Sequence, residues 1–571
     1  MLFIKNQKNI LSLAVAAALT ANLVACGGGS DSPTVENTAP SNIELSATAV
    51  KENMAGVDVA TITVTDSDAN DTFSITVDNA DFTVSGTTLK LATNAALSFA
   101  DDAVEQINLT VTDKAGATFT KAFDITVLVE APTTYTFESQ LTTGSSVSYS
   151  GQVARHALIQ ELTNFIGSMN VDDYLTKQAA VDALNVYFID TDDAASDKPL
   201  TISTTPGVLQ ATVREISDGK NIVGKIAGND TAGQYKDWST DLIGWGAKGS
   251  VTPQGLVEEF IGLIADQIVN KNGVNDRVDP AGNPITSHYV TTSGLDLKQL
   301  TQKFLLGSVA YSQGIDDYLD SDLAGKGLLS DNVQDGTKPY TKLEHQVDEG
   351  FGYFGAARDY ASYTDSDLAG KSTGDNARSF YHDTDTDGSI DLNSEYNFGN
   401  STNAGKRDLG ATVATDFSQD AFDAFLTLRT MANNLAKNAG EPASDEQIAA
   451  MQAESLKASN AWELAIASTV VHYINDVVND DLPLIKAGAY SATDFANLAK
   501  HWSELKGFAL GLQFNRFSPL SEADFTQFHS LVGDAPVIES ANVDAYIADL
   551  KTARGLLATA YAFDSQNVEN W

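Results

Sequence analysis

The feature that most constrains this chain is a change of hydrophobic period at Ala131-Pro132. Before that point apolar residues recur at every second position: Ile62/Val64, Phe73/Ile75/Val77, Leu89/Leu91, Ile107/Leu109/Val111 and Phe123/Ile125/Val127. Thr, Ser or Asp stand between them, and turns rich in Asp, Asn and Gly separate the runs. A period of two lays one face of a strand on a core, so these runs predict an antiparallel β-sandwich over 41–130. After Ala131-Pro132 the spacing turns helical and stays so to Trp571. Leu256/Phe260/Leu263/Ile264/Ile268, Leu297/Leu300/Phe304, Trp462/Ile466/Val470/Tyr473/Val477 and Tyr546/Ile547/Leu550/Leu557 each line one helix face. Ser444, with Gln447 three residues on, is a capping box that opens one of these helices. The expectation is a multidomain chain, an all-β sandwich followed by a large all-α helical bundle over 131–571. Long loops are expected at 186–255, 271–295 and 360–420. No repeat of fixed period is present, which argues against a solenoid.

The charge balance narrows the partners. The 571 residues hold 35 Lys and Arg against 76 Asp and Glu, a formal charge of -41. Nucleic-acid affinity depends on cations that neutralise phosphates, so nucleic acid is excluded as a natural partner. Cations or basic partners fit this balance, as does plain solubility in a salty medium. The N-terminus reads as an export signal over 1–25, with Lys5 and Lys8 ahead of an apolar stretch from Ile10 to Leu23. Leu23-Val24-Ala25-Cys26 resembles the bacterial lipobox, which implies lipidation of Cys26 and a flexible tether over 26–40. Gly27 rather than Asp follows Cys26, and the resemblance then implies an outer-membrane lipoprotein facing the periplasm or the cell surface. Cys26 is the only cysteine, so no disulfide forms within one chain. No other apolar run is long enough to span a bilayer.

The densest set of oxygen ligands lies in Tyr381–Asp408. Asp383, Asp385 and Asp387 alternate, Gly388 follows, and Ile390 and Asp391 come next. This is most of an EF-hand loop, D-x-D-x-D-G-x-I-x, set by the sequence reading inside a long helical region. A hard dication takes six to eight oxygens, and a glycine at the sixth place permits the sharp turn. Ser389 would offer its backbone carbonyl, and Asp391 would bind directly or through water. Ser394 holds the twelfth place and Glu395 comes one residue late. Either Glu395 still closes a loop over 383–395 that carries one extra residue, or the stretch is a solvated acidic turn.

The sandwich region resembles a bacterial cadherin-like repeat through NTAPSNIELS, KEN, TDSDAND, SFADD and TDKAG, taken in order. The resemblance implies calcium at the end of the sandwich on Glu52, Asp66, Asp68 and Asp113. Ser98-Phe99-Ala100 departs from the family, which places acids on either side of the aromatic, and Asp101 and Asp102 are out of register. Asp-rich β-turns that need no metal are the other reading.

Beyond residue 134 the strings VSYSGQVARHALIQEL, GLDLKQLTQKFLLG, EHQVDEGFGYFGAARDY, IDLNSEYNFGNSTNAGKRD, ASTVVHYIND and HWSELKGFALGLQF resemble an uncharacterised family of Gram-negative outer-membrane lipoproteins. It is a domain of unknown function whose members tend to be encoded beside imelysin-like lipoproteins and TonB-dependent receptors. The resemblance implies an iron- or nutrient-uptake setting and supplies no catalytic residue. Imelysin-like proteins carry G-x-H-x-x-E; here Ala499 replaces the glycine ahead of His501 and Glu504. Those two share a helix face and could hold one metal or exchange a proton, or form an ordinary helix pair. His345 and Glu349, four apart, are a second pair, either a ligand set or a structural hydrogen bond. Calcium is the expected ion of the two acidic sites, with iron or zinc the candidates for the histidine pairs. No HExxH, G-x-S-x-G or GxxxxGK[ST] motif is present. The sequence therefore reads as a lipid-anchored calcium-binding accessory for iron or nutrient uptake, with a TonB-dependent receptor or imelysin-like lipoprotein as partner. An imelysin-like metallopeptidase and a calcium-dependent adhesion protein are the alternatives.

Overall fold

The computed structural model describes residues 36–189, 194–230, 234–270, 277–373, 378–488 and 490–571. The export signal, Cys26 and most of the tether lie outside them. The period-two runs become eight strands: β1 Asn42–Leu45, β2 Ala49–Lys51, β3 Asp58–Thr65, β4 Ser74–Val77, β5 Phe82–Ser85, β6 Thr88–Leu91, β7 Val104–Thr112 and β8 Thr118–Leu128. They form two four-stranded sheets, ordered β1-β3-β6-β5 and β2-β8-β7-β4. The long β7–β8 hairpin pairs Val104 with Thr126 and Thr112 with Thr118, and its alternation sends Ile107, Leu109, Val111, Ile125 and Val127 inward. The sandwich is not wholly antiparallel. After β1 the chain crosses to the other sheet, where β2 runs parallel to β8. This lets one N-terminal segment serve an edge of both sheets.

Helical spacing after residue 131 becomes, among the described residues, eleven α-helices of nine residues or more. They are α1 Ser150–Ser168, α2 Lys177–Phe188, α3 Pro253–Val269, α4 Leu297–Leu305, α5 Lys342–Phe354, α6 Gly399–Gly410, α7 Phe417–Leu435, α8 Asp445–Asn475, α9 Ala492–Gly511, α10 Glu522–Val532 and α11 Val543–Ala560. Local chemistry sets their ends. Thr341, Ser444 and Ser491 each close a capping box, and Pro253 occupies the first turn of α3 behind Thr252. The α4 helix runs on into two π-helical stretches, Leu306–Tyr311 and Gln313–Tyr318. The expected loop at 360–420 is broken by α6.

The two domains share one apolar core, and polar contacts lock the seam. Glu52, 6% exposed, accepts from Asn434 Nδ2 at 2.8 Å and from the Phe99 amide at 3.3 Å. Gln447 of the predicted capping box also donates to the Phe99 carbonyl at 2.7 Å, and Asn438 to that of Ala100 at 3.0 Å.

A buried ion cluster holds the helical domain's first segment in place. Arg429 of α7 donates to Asp348 Oδ1 at 2.7 Å, to Glu344 Oε1 at 2.8 Å and to Ser146 Oγ at 2.8 Å, and none of the three charged side chains is exposed. Tyr135 and the Ser148 amide add donors to Asp348. Arg429→Met is expected to lower stability by about 3–5 kcal/mol in urea unfolding, because two carboxylates lose their buried counter-charge. Adding Glu344→Gln and Asp348→Asn should recover part of the loss. A loss under about 1 kcal/mol for the single change would contradict the assignment.

Candidate functional site

The aspartate loop, which lies in the loop expected at 360–420, is framed by strand-like pairing. Tyr381 and Tyr396 form an antiparallel bridge, with the His382 amide on the Glu395 carbonyl at 3.1 Å and the Asn397 amide on the Phe380 carbonyl at 2.9 Å. Extended backbone suits both sides, and the Tyr381 and Tyr396 rings stack across the bridge while Phe398 packs tilted against Tyr396. Between the two sides the chain must turn sharply, and Gly388 does so at φ +89°, the left-handed region that glycine enters without strain.

Inside this turn Asp383, Asp385 and Asp387 each bring a carboxylate oxygen to within 4.8 Å of the others. Asp383 Oδ2 takes the Gly388 amide at 3.1 Å, Asp385 Oδ1 the Asp387 amide at 3.0 Å, and Asp387 Oδ1 both the amide and hydroxyl of Ser389. The Ser389 hydroxyl and amide hold Asp387 below the ordinary carboxylate range. Asp383 Oδ1 is buried and has no hydrogen-bond donor. The other two predicted carboxylate ligands are engaged elsewhere. Asp391 takes Gln210 Nε2 at 2.7 Å and the amide of Asn393. Glu395, 3% exposed, uses Oε1 on the Thr384 amide and hydroxyl and Oε2 on the Asp391 amide. These two residues brace the loop, so Glu395 cross-links its two sides from within. Ile390 bridges Val208 and anchors the turn to the 207–210 segment, a partner that sequence spacing does not reveal.

The chain regroups the predicted sandwich ligands. Asp66 and Asp113 come together with Asp71, not with Asp68, within the same 4.8 Å limit. Asp66 Oδ2 is buried without a donor. Asp113, 5% exposed, takes Asn37 Nδ2 at 2.7 Å, and this hydrogen bond lowers its pKa. Asp68 caps the Thr38 amide at 2.6 Å. Glu52 sits at the other end of the sandwich, beyond the start of β7 while Asp113 follows its last residue, a separation of more than about 27 Å at strand rise. One ion cannot touch both.

The histidine pairs do not converge on a metal. His501 Nδ1 meets Asp481 Oδ2 at 2.9 Å, while Glu504 Oε1 faces Lys303 Nζ at 3.4 Å. His345 Nε2 is 3.9 Å from Glu349 Oε1, which also takes Gln152 Nε2 at 2.8 Å, and Tyr340 stacks on the His345 ring.

A cavity of about 200 Å³ adjoins the aspartate loop. Its lining includes the outgoing side of the bridge, Tyr396, Asn397 and Phe398, together with Phe380 and with Thr402 and Lys406 of α6. Asn397 is fixed by the Ala357 amide at 2.7 Å, and Phe398 by its amide on the Gly355 carbonyl at 2.7 Å. No motif in the sequence singles out Lys406.

The segment that carries α1 to α5 matches a family model. Residues 132–375 carry a DUF4856 domain. The matching family is described only as a domain of unknown function, and the matched DUF4856 segment stops short of Asp383. It contains Glu344, Asp348, His345 and Glu349, so the acidic partners of Arg429 belong to the DUF4856 segment and Arg429 itself lies beyond it. No curated protein and no solved structure matches the chain.

Burial alone would push the His501 imidazole down, but the hydrogen bond and charge of Asp481 raise it above the ordinary histidine value. In Asp481→Asn the desolvation is opposed by less negative charge, so proton NMR titration of His501 is expected to show a lower pKa than in the parent chain. An unchanged value would show that Asp481 is not its partner.

Proposed function

We propose that this chain is a lipid-anchored outer-membrane protein that binds calcium and presents a helical ligand-binding domain, an accessory for iron or nutrient uptake. The observation that carries the calcium reading is the convergence of Asp383, Asp385 and Asp387 around a buried Asp383 oxygen that no protein donor satisfies. A buried acceptor left unmet costs on the order of 1–3 kcal/mol, and three carboxylates this close repel one another. A hard dication answers both at once, and all the facing atoms are oxygens, the donor set calcium prefers. Calcium supplies charge neutralisation there; Glu395, Asp391 and Gln210 hold the backbone that aims the aspartates.

The sandwich is read as a cadherin-like repeat. Support comes from the N-terminal segment divided between two sheets and from the acidic cluster of Asp66, Asp71 and Asp113 at the end next to the tether. Glu52 joins no ion there and serves the domain seam. In this reading the sandwich is a spacer, and the helical domain passes iron, another metal or an organic nutrient to a TonB-dependent receptor or an imelysin-like lipoprotein. The uptake setting is supported by the lipobox-like Cys26, the acidity and the family resemblance.

Thermal unfolding with calcium and with a chelator tests the reading. At calcium a hundredfold above its dissociation constant the parent chain is expected to gain about 2.7 kcal/mol per site. Asp385→Asn with Asp387→Asn should lose one site's share. A chain whose melting ignores calcium would overturn the reading.

A further inference from the structure

A chain with 76 acidic residues against 35 Lys and Arg has carboxylates in excess for every cation. Around the C-terminal half of α6 cations gather beside a few carboxylates, with Asp476 and Asp408 acting on Arg407. Lys303, Lys371, Lys406 and Arg407 lie close enough for Lys406 to feel the charge of the other three. The carboxylate that acts on Lys406 is that of Glu504, and Glu504 Oε1 already faces Lys303. Among the described residues neither Lys406 nor Arg407 forms an ion pair, and Arg407, only 8% exposed, leaves its Nε without an acceptor. Gathering cations against their mutual repulsion is costly unless an anion completes the set.

The cavity beside the aspartate loop gives that anion a place. Gly399, Thr402 and Lys406 recur at helical spacing on one face of α6, and all three line it. Phe380, Tyr396 and Phe398 add aromatic lining to the same cavity. The first turn of α6 has no side-chain cap, so the positive end of its dipole adds to the same field. We infer that this cavity binds the carboxylate or phosphate group of a small organic molecule, with Lys406 as counter-charge and the aromatic wall taking the apolar body. This names the ligand class of the proposed binding domain and rests on the calcium reading only in that Tyr396 and Phe398 continue directly from the loop. Lys406 still reaches solvent, but desolvation at the cavity wall, with Lys303 and Arg407 beside it, brings it down to about 8. A ligand held by its positive charge is therefore lost as pH rises through that value.

Calorimetric titration of the full chain with benzoate, phenyl phosphate and neutral benzamide tests the inference. At least one anion is expected to bind at pH 7 with a dissociation constant below about 1 mM, and benzamide is not. Lys406→Met should weaken the anion roughly tenfold or more, the loss of one charge-assisted hydrogen bond, and the affinity should fall above pH 8. Whether benzoate or phenyl phosphate binds more tightly identifies the headgroup. Equal binding to Lys406→Met, or equal binding of benzamide, would overturn the site, as would failure of both anions. The Asp385→Asn/Asp387→Asn chain separates the two readings. Anion binding that survives there while calcium binding is lost upholds the cavity alone, and calcium binding without any anion in the parent chain upholds the loop alone.

Discussion

The buried guanidinium of Arg429 is the interaction on which the rest of the helical domain depends. It sits out of water over the Phe137 ring, with Asp348, Glu344 and Ser146 taking its donors. An ion cluster of this kind adds little net stability over an apolar packing of the same shape, but it is unforgiving of misplacement. It fixes where the 134–148 segment, α5 and α7 meet. Five residues farther along α7, Asn434 receives Glu52 of the sandwich. One helix therefore sets both the interior of the helical domain and the angle of the β-domain upon it.

The aspartate loop hangs from the same frame. At the end of α5, Gly355 adopts φ +85°, and a Cβ there would lie 2.8 Å from the Phe398 carbonyl oxygen, so only glycine lets the two segments close. Beyond it the Arg358 amide donates to Ser394 at 2.8 Å, while the Tyr135 amide donates to the Arg358 carbonyl at the same distance. Position thus passes from Asp348 through α5 to residues 355–358, and from there to 394–398, which form both the outgoing side of the loop and the cavity wall. The loop and the cavity therefore hang from the same frame.

Much of this was legible in the sequence. The change of period at Ala131 matches the passage from strands to helices, and the Ser444–Gln447 capping box forms as read. Gly388 takes the left-handed turn that its place after Asp387 requires. What spacing could not show is which side chain takes which partner across the fold. Glu395 one residue late read as a displaced ligand, whereas its carboxylate satisfies amides on the opposite side of the loop. Glu52 read as a calcium residue, yet its strand carries it to the domain seam. The alternating pair points to Asp68, whereas Asp71, just past the turn at Asn70 with its φ of +68°, is the residue that joins Asp66 and Asp113. Arg429 and Lys406 gave no motif at all, since their partners or lack of them arise from residues scattered along the chain.

The claim that most needs testing is that the Asp383–Asp387 turn is a calcium centre. The direct measurement is calorimetric titration of the full chain with calcium, magnesium and zinc, repeated on Asp383→Asn. The account predicts calcium binding in preference to the other two ions, with the loop's share of the heat abolished in Asp383→Asn and the share of the Asp66 cluster retained. Calcium heats identical in the two chains would contradict it.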